Sequence, residues 1–188
     1  MAEYAEYKVG VIGIAGKWST EALADAVEQR TGNRLVIDMG EVNLDLERQR
    51  LLFQGQDLCQ LDALIVKKIS ARYNPNTLDR LELLRVAEQA GVRVFSRAEN
   101  MLRLIDRLSC TITLRNADIP MPATCVTEDV GAAITAVEDF GSAVFKPLYS
   151  TKARGMCVID TDRDHSEIER EIRAFQADNP MMYIQQKI

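Results

Sequence analysis

Short apolar runs alternate with helical patterns through the first half of the chain. Val9 to Ala15 is apolar and β-branched, is closed by Gly16, and predicts a buried strand. Ser19 predicts the N-cap of a helix to Arg30, with Leu23, Ala26 and Val27 inward and Gly32 as its stop. Leu35 to Met39 predicts a second strand, and strand, helix and strand over so short a span imply a parallel crossover. Glu41 to Gln60 is less regular: Asp45 to Arg50 is charged, Gln54-Gly55-Gln56-Asp57 reads as a turn, and a hairpin or irregular insert is expected. Leu61 to Ile69 predicts the third strand. A helix beginning at Pro75 and Thr77 carries Leu78, Leu81, Leu84, Val86 and Ala87 and ends at Gly91, before a short strand from Val92 to Phe95. The expectation for residues 1–96 is an α/β domain built on an open, parallel-type sheet.

The pattern then changes. Ser96 and Glu99 have capping-box spacing, and Met101, Leu104, Ile105, Leu108 and Ile112 predict one apolar helix face ending near Ala117. Ile119-Pro120-Met121-Pro122 cannot be helical. Residues 97–122 are therefore read as a connecting helix and Pro-containing linker. Residues 123–188 carry a tighter rhythm. Strands are expected at Thr124 to Val126, Ala143 to Pro147, Met156 to Ile159 and Tyr183 to Ile188. Helices are expected at Asp129 to Phe140, stopped by Gly141, and from Asp164 and Glu167 through Ile168, Ile172 and Phe175. Strand–helix–strand–strand–helix–strand describes a small α+β layer. The last strand stops inside an apolar run, which fits either a protected edge or a chain that continues in the natural protein.

Composition narrows the classes. The 188 residues are 47% hydrophobic and 27% charged, as in an ordinary globular protein. A formal net charge of −5 argues against a general nucleic-acid or anionic-membrane partner. Cys59, Cys110, Cys125 and Cys157 form no CxxC pair, and with His165 as the single histidine no zinc constellation is expected. Reduced, mostly buried cysteines and an N-terminus without an apolar signal core suggest a cytoplasmic protein.

One lysine invites chemistry. Lys146 lies in the otherwise apolar Ala143-Val-Phe-Lys-Pro147, where a lone ammonium must reach water or meet an anion. The loop that follows, Ser150-Thr151-Lys152-Ala153-Arg154-Gly155, offers hydroxyls, two cations and a flexible glycine, and such a loop can fold over a polyphosphate. The local pattern alone more simply fits a solvated edge lysine followed by a charged hairpin.

The order of motifs along nearly the whole chain resembles the ATP-grasp ligases, in their RimK-like, glutamate-ligase branch. The resemblance is carried by Ile105-Asp-Arg-Leu108 before Ala117-Asp-Ile-Pro-Met-Pro122, then Lys146-Pro147, the Ser150 to Gly155 loop, and Ile184-Gln-Gln-Lys-Ile188. Leu61-Asp-Ala-Leu-Ile-Val66 and Val92-Arg-Val-Phe-Ser96 match strands of the domain that precedes the ATP-grasp fold. The resemblance implies a pre-ATP-grasp domain over 1–96 and the ATP-grasp small subdomain, the nucleotide lid, over 123–188. It implies that Arg107 and Lys146 reach the nucleotide phosphates. Ser150, Thr151, Lys152, Arg154 and Gly155 would form the lid, and Gln185, Gln186, Lys187 and Ile188 the hinge strand whose backbone meets adenine. The implied reaction activates a carboxylate as an acyl phosphate at the expense of ATP, then joins it to an amine of the amino-acid, glutamate type. Departures are Arg107 in place of a frequent lysine, a lid poorer in glycine, and Gln186 in place of a common acidic residue. Magnesium would be required, with ligands expected in a subdomain beyond Ile188, so the chain alone is expected to be inactive. The alternative is a non-catalytic nucleotide-binding or assembly subunit. The expected partners are a nucleotide and a small-molecule or peptide carboxylate, and a homo-oligomer stays open.

Other features weigh less. Gly10, Gly13 and Gly16 are spaced GxxGxxG rather than GxGxxG, against a dinucleotide fingerprint. Lys67 and Lys68 end a strand where open α/β sheets bind ligands, which admits an acidic substrate or, more simply, a solvated strand end. His165 reads as a surface residue, and Trp18 as a residue lining a cleft or plugging a loop.

Overall fold

The structure, a computed structural model, describes residues 7–150 and 153–188. The chain divides into two compact units, Met1–Ile105 and Asp106–Ile188.

The first unit opens with β1 (Val9–Ile12), α1 (Trp18–Thr31) and β2 (Val36–Ile37). A three-stranded antiparallel meander follows: β3 (Asn43–Asp45), β4 (Arg50–Phe53) and β5 (Gln56–Asp57). This is the segment expected to be a hairpin or irregular insert. Then come β6 (Ala63–Val66), α2 (Asn76–Gln89), β7 (Arg93–Phe95) and α3 (Ala98–Ile105). The main sheet has the order β2-β1-β6-β7, and every pair is parallel. Side chains alternate across it. Ile12, Ile37, Leu64 and Val94 point to the side of α2, where Leu81, Leu84 and Ala87 meet them. Val11, Val36 and Ile65 point to the other side, against Ala24 and Val27 of α1. Gly13 serves this second contact: a Cβ there would lie 2.5 Å from the Thr20 methyl carbon, so the glycine lets helix and strand close together.

The second unit begins with α4 (Arg107–Asn116) and continues through β8 (Thr124–Thr127), α5 (Val130–Phe140), β9 (Ser142–Lys146), β10 (Cys157–Asp160), α6 (His165–Asp178) and β11 (Met182–Gln186). Its sheet has the order β10-β9-β11-β8 and is antiparallel throughout. One face carries Ala143, Phe145, Ile159, Met182 and Ile184 against Ile134 and Val137 of α5 and Ile168, Ile172 and Phe175 of α6. Phe145 and Phe175 meet edge to face at 5.4 Å. Gly141 ends α5 at φ 71°, where a side chain would be strained.

Two local expectations differ from the fold. The helix expected from Ser96 to Ala117 is two helices. Asp106 adopts extended backbone, and its carboxylate accepts the Ser109 N–H at 3.0 Å, starting α4 afresh. The Ser96–Glu99 box does not form: the Ala98 N–H donates to Glu88, and Glu99 pairs with Arg103 at 2.8 Å. Ser19, expected as a cap, lies inside α1, which starts after Lys17 without a side-chain cap.

Candidate functional site

The register of the second sheet determines which side chains share its other face. Lys146 stands opposite Tyr183, Val144 opposite Gln185 and Val158, and Gln185 and Tyr183 opposite Thr124 and Val126. With alternation, all of these point away from α5 and α6. None belongs to the apolar cluster beneath those helices. This face therefore has an apolar floor of valines with polar side chains among them.

A hydrogen-bonded set occupies one end of the face. Lys146 Nζ donates to Gln185 Oε1 at 2.5 Å. The Gln185 amide in turn donates to Thr124 Oγ1 at 3.1 Å and to the Tyr183 hydroxyl at 3.4 Å. Tyr183 and Thr111 of α4 share a hydrogen bond of 2.9 Å between their hydroxyls. Arg107, the first residue of α4, donates through Nε to the Pro147 carbonyl at 3.1 Å and through its terminal nitrogen to Ser150 Oγ at 3.2 Å. Its guanidinium carbon lies 5.7 Å from the centre of the Tyr183 ring. Arg107 thus ties the exit of β9 to the start of the loop.

The electrostatics of the set are one-sided. Burial, and then the neighbouring Arg107 charge, hold the Lys146 ammonium below its ordinary lysine range. Among the described residues neither cation has a carboxylate partner; their partners are an amide oxygen, a carbonyl and a hydroxyl. Two cations over an apolar floor, satisfied only by neutral acceptors, fit an anionic group such as a polyphosphate. A metal finds no comparable fit: among the described residues no group of three His, Cys, Asp or Glu side chains can hold one.

Of the residues singled out from sequence, Arg107, Lys146, Ser150 and Gln185 come together here. Arg154 and Gly155 lie exposed in the turn before β10, with Gly155 at φ 72°. Thr151 and Lys152 lie outside the described residues. The expected strand from Tyr183 to Ile188 ends at Gln186. Lys187 and Ile188 follow it, with the Lys187 N–H donating to the Ser142 carbonyl at 2.9 Å and Ile188 98% exposed. Gln186 is exposed and points opposite to Gln185. Lys67 and Lys68 belong to the first unit, are exposed, and both donate their backbone N–H to the Ile12 carbonyl. Trp18 is 84% exposed, so it plugs nothing. Sequence reading missed Tyr183, Thr111 and Thr124. The signal for Tyr183 was its place between Met182 and Ile184, which puts it on the face away from the core.

The combination of folds is that of the ATP-grasp ligases. A RimK domain ATP-grasp protein of Sphaerobacter thermophilus superposes on 96% of this chain and 64% of its own, with a TM-score of 0.70 and 20% identity. The ATP-grasp ligase PsnB, solved with a precursor variant, Mg and ADP, covers 97% of this chain and 65% of its own, at a TM-score of 0.67 and 16% identity. In sequence the chain is similar to the tetrahydromethanopterin:alpha-L-glutamate ligase of Methanosarcina acetivorans, 26% identical over 185 residues, or 91% of this chain. It spans 57% of that relative's length. No protein-family model matches. The resemblance to RimK-like ATP-grasp ligases thus holds in fold and in sequence. Among the described residues no helix is long and apolar enough to cross a membrane.

Proposed function

We propose that this chain forms the nucleotide-binding part of an ATP-dependent carboxylate–amine ligase. In this reading the open face of the second sheet receives the nucleotide. Lys146 and Arg107 offset the phosphate charge, and the segment from Ser150 through Thr151, Lys152 and Arg154 to Gly155 closes over it. The backbone of Gln185 to Ile188, with Gln186 and Lys187 between, meets the adenine edge. The reading is carried by one observation: Lys146 and Arg107 converge on one face, with neutral acceptors as their partners.

In the reaction a substrate carboxylate oxygen bonds to the γ-phosphorus of ATP as ADP leaves. An amine then bonds to the acyl carbon, phosphate departs, and the nitrogen gives up a proton. Cations already in place stabilise the charge that gathers on the transferred group without reorganising. The similarity to an alpha-L-glutamate ligase supports an amino acid of the glutamate type as the amine. Mg accompanies ADP in the PsnB structure. The described residues here do not form a metal site, and no step is assigned through one. Lys67 and Lys68 would attract an acidic substrate to the carboxyl ends of the first sheet.

Calorimetric titration of the chain with ATP tests the reading. Lys146→Ala should weaken binding by about tenfold or more, the worth of one charge-assisted contact. An unchanged affinity in a variant with the wild-type circular dichroism spectrum overturns the assignment.

A further inference from the structure

The first sheet is covered unevenly. On one side α2 packs against residues from all four strands, down to Val94 of β7. On the other, α1 meets Val36, Val9, Val11 and Ile65 of β2, β1 and β6. The β7 side chains that share this second face are Arg93 and Phe95, paired in register with Ala63 and Ile65. Both are exposed, and Phe95 is 55% exposed. β7 is also an edge strand. The Arg93 N–H donates inward to the Asp62 carbonyl at 3.1 Å, so the N–H and C=O of the next residue, Val94, point outward.

A cavity of about 410 Å³ lies along this edge, lined by Glu88, Val92, Arg93, Val94, Phe95 and Arg97. Its charge is biased. Glu88 accepts the Ala98 N–H at 3.0 Å and keeps its charge, so the lining holds two cations against one carboxylate. Arg85, beside it, is held by Glu82, and Glu99 by Arg103. Among the described residues Arg93 and Arg97 have no acidic partner. An edge protected merely against aggregation needs charge alone. This one combines two unmatched cations with an exposed ring, a free backbone pair and a cavity.

We propose that the β7 edge is a docking strip for an extended, acid-bearing peptide segment. The peptide would add as a strand, exchanging backbone hydrogen bonds with Val94. An apolar side chain would lie on Phe95, and carboxylates two residues before and two residues after it would meet Arg93 and Arg97. The match of charge decides between occupants, since an acidic strand satisfies both arginines and a basic or neutral one leaves them unmatched. The proposal concerns the first unit and stands whether or not the second binds ATP.

Fluorescence anisotropy of the whole chain with a short capped peptide built on Glu-Ser-Val-Ser-Glu, which places both carboxylates and the valine on one face, and with its Lys-Ser-Val-Ser-Lys counterpart, tests it. The acidic peptide should bind saturably and slow hydrogen exchange at the Val94 amide, while the basic one should not bind. Arg93→Glu with Arg97→Glu should weaken the acidic peptide by about tenfold or more and favour the basic one, and Arg93→Lys with Arg97→Lys should restore much of the binding. All four substitutions are at exposed positions, so the fold is kept. Absence of saturable binding, or equal binding by the charge-reversed variant, overturns the proposal. So does a dimer in sedimentation that the reversed variant abolishes, because a second copy would then be the occupant.

Discussion

Helices begin differently in the two units. In the first, α1 follows Lys17 and α2 follows Pro75, neither residue caps with its side chain, and the first N–H of α3 goes to Glu88 of α2 rather than to a residue beside it. In the second, α4, α5 and α6 follow Asp106, Asp129 and Asp164, whose carboxylates accept the N–H groups of Ser109, Ala132 and Glu167. The sheets differ in parallel. The first has apolar packing on both faces, and the second on one. A helix on a doubly covered sheet is held chiefly by apolar burial. The second unit has a single apolar layer and supplements it with local caps. Confining its packing to the helical side leaves the opposite face free to hold side chains chosen for chemistry.

The sharpest challenge to this division is Phe145→Ala. Phe145 is fully buried on the helical side, one residue from Lys146. Its loss should cost the second unit about 3–5 kcal/mol in denaturant unfolding. Lys146→Ala should cost far less, and comparable losses would erase the distinction between the faces. Next in size is the pH response of the open face. Only the protonated Lys146 attracts an anion, and burial and Arg107 lower its proton affinity. ATP affinity should fall about tenfold as the pH is raised, the fall starting below the pH at which a free lysine deprotonates. Lys146→Arg should move the fall to higher pH. Folding stability should rise over the same interval, because the unfolded chain keeps that proton longer than the folded one. The smallest effect separates the caps. Asp129→Ala should cost about 1 kcal/mol, whereas Lys17→Ala should stay within about 0.5 kcal/mol; thermal melts of both variants decide whether only the second unit depends on its caps.

Much of this fold was legible because single residues report it without help from distant ones. Gly32 and Gly141 stop their helices at positive φ, and Asp164 caps α6, as read from sequence. Apolar runs located β9 and β11, and Lys146 stood out as the one charged residue in an otherwise apolar strand. Legibility failed where one signal had to outrank another. The apolar positions from Met101 to Ile112 continue through Asp106, so helical periodicity concealed a cap that divides the segment. Ser96 and Glu99 had the right spacing, but Glu88, distant in sequence, takes the N–H that a cap would have satisfied. Tyr183 read as one more strand residue. Its meeting with Thr111 and Arg107 depends on pairing across the sheet, which no local window contains.

The way α4 is moored has a further consequence. None of its residues is buried, and it is fastened by Arg107 to the Pro147 carbonyl and by Thr111 to the Tyr183 hydroxyl. Water can replace each of these bonds at little net cost, so the helix behaves as a berthed element rather than a welded one. A guest that draws the guanidinium of Arg107 to itself would slip one line of the berth, coupling occupancy of the open face to the freedom of the helix beside it.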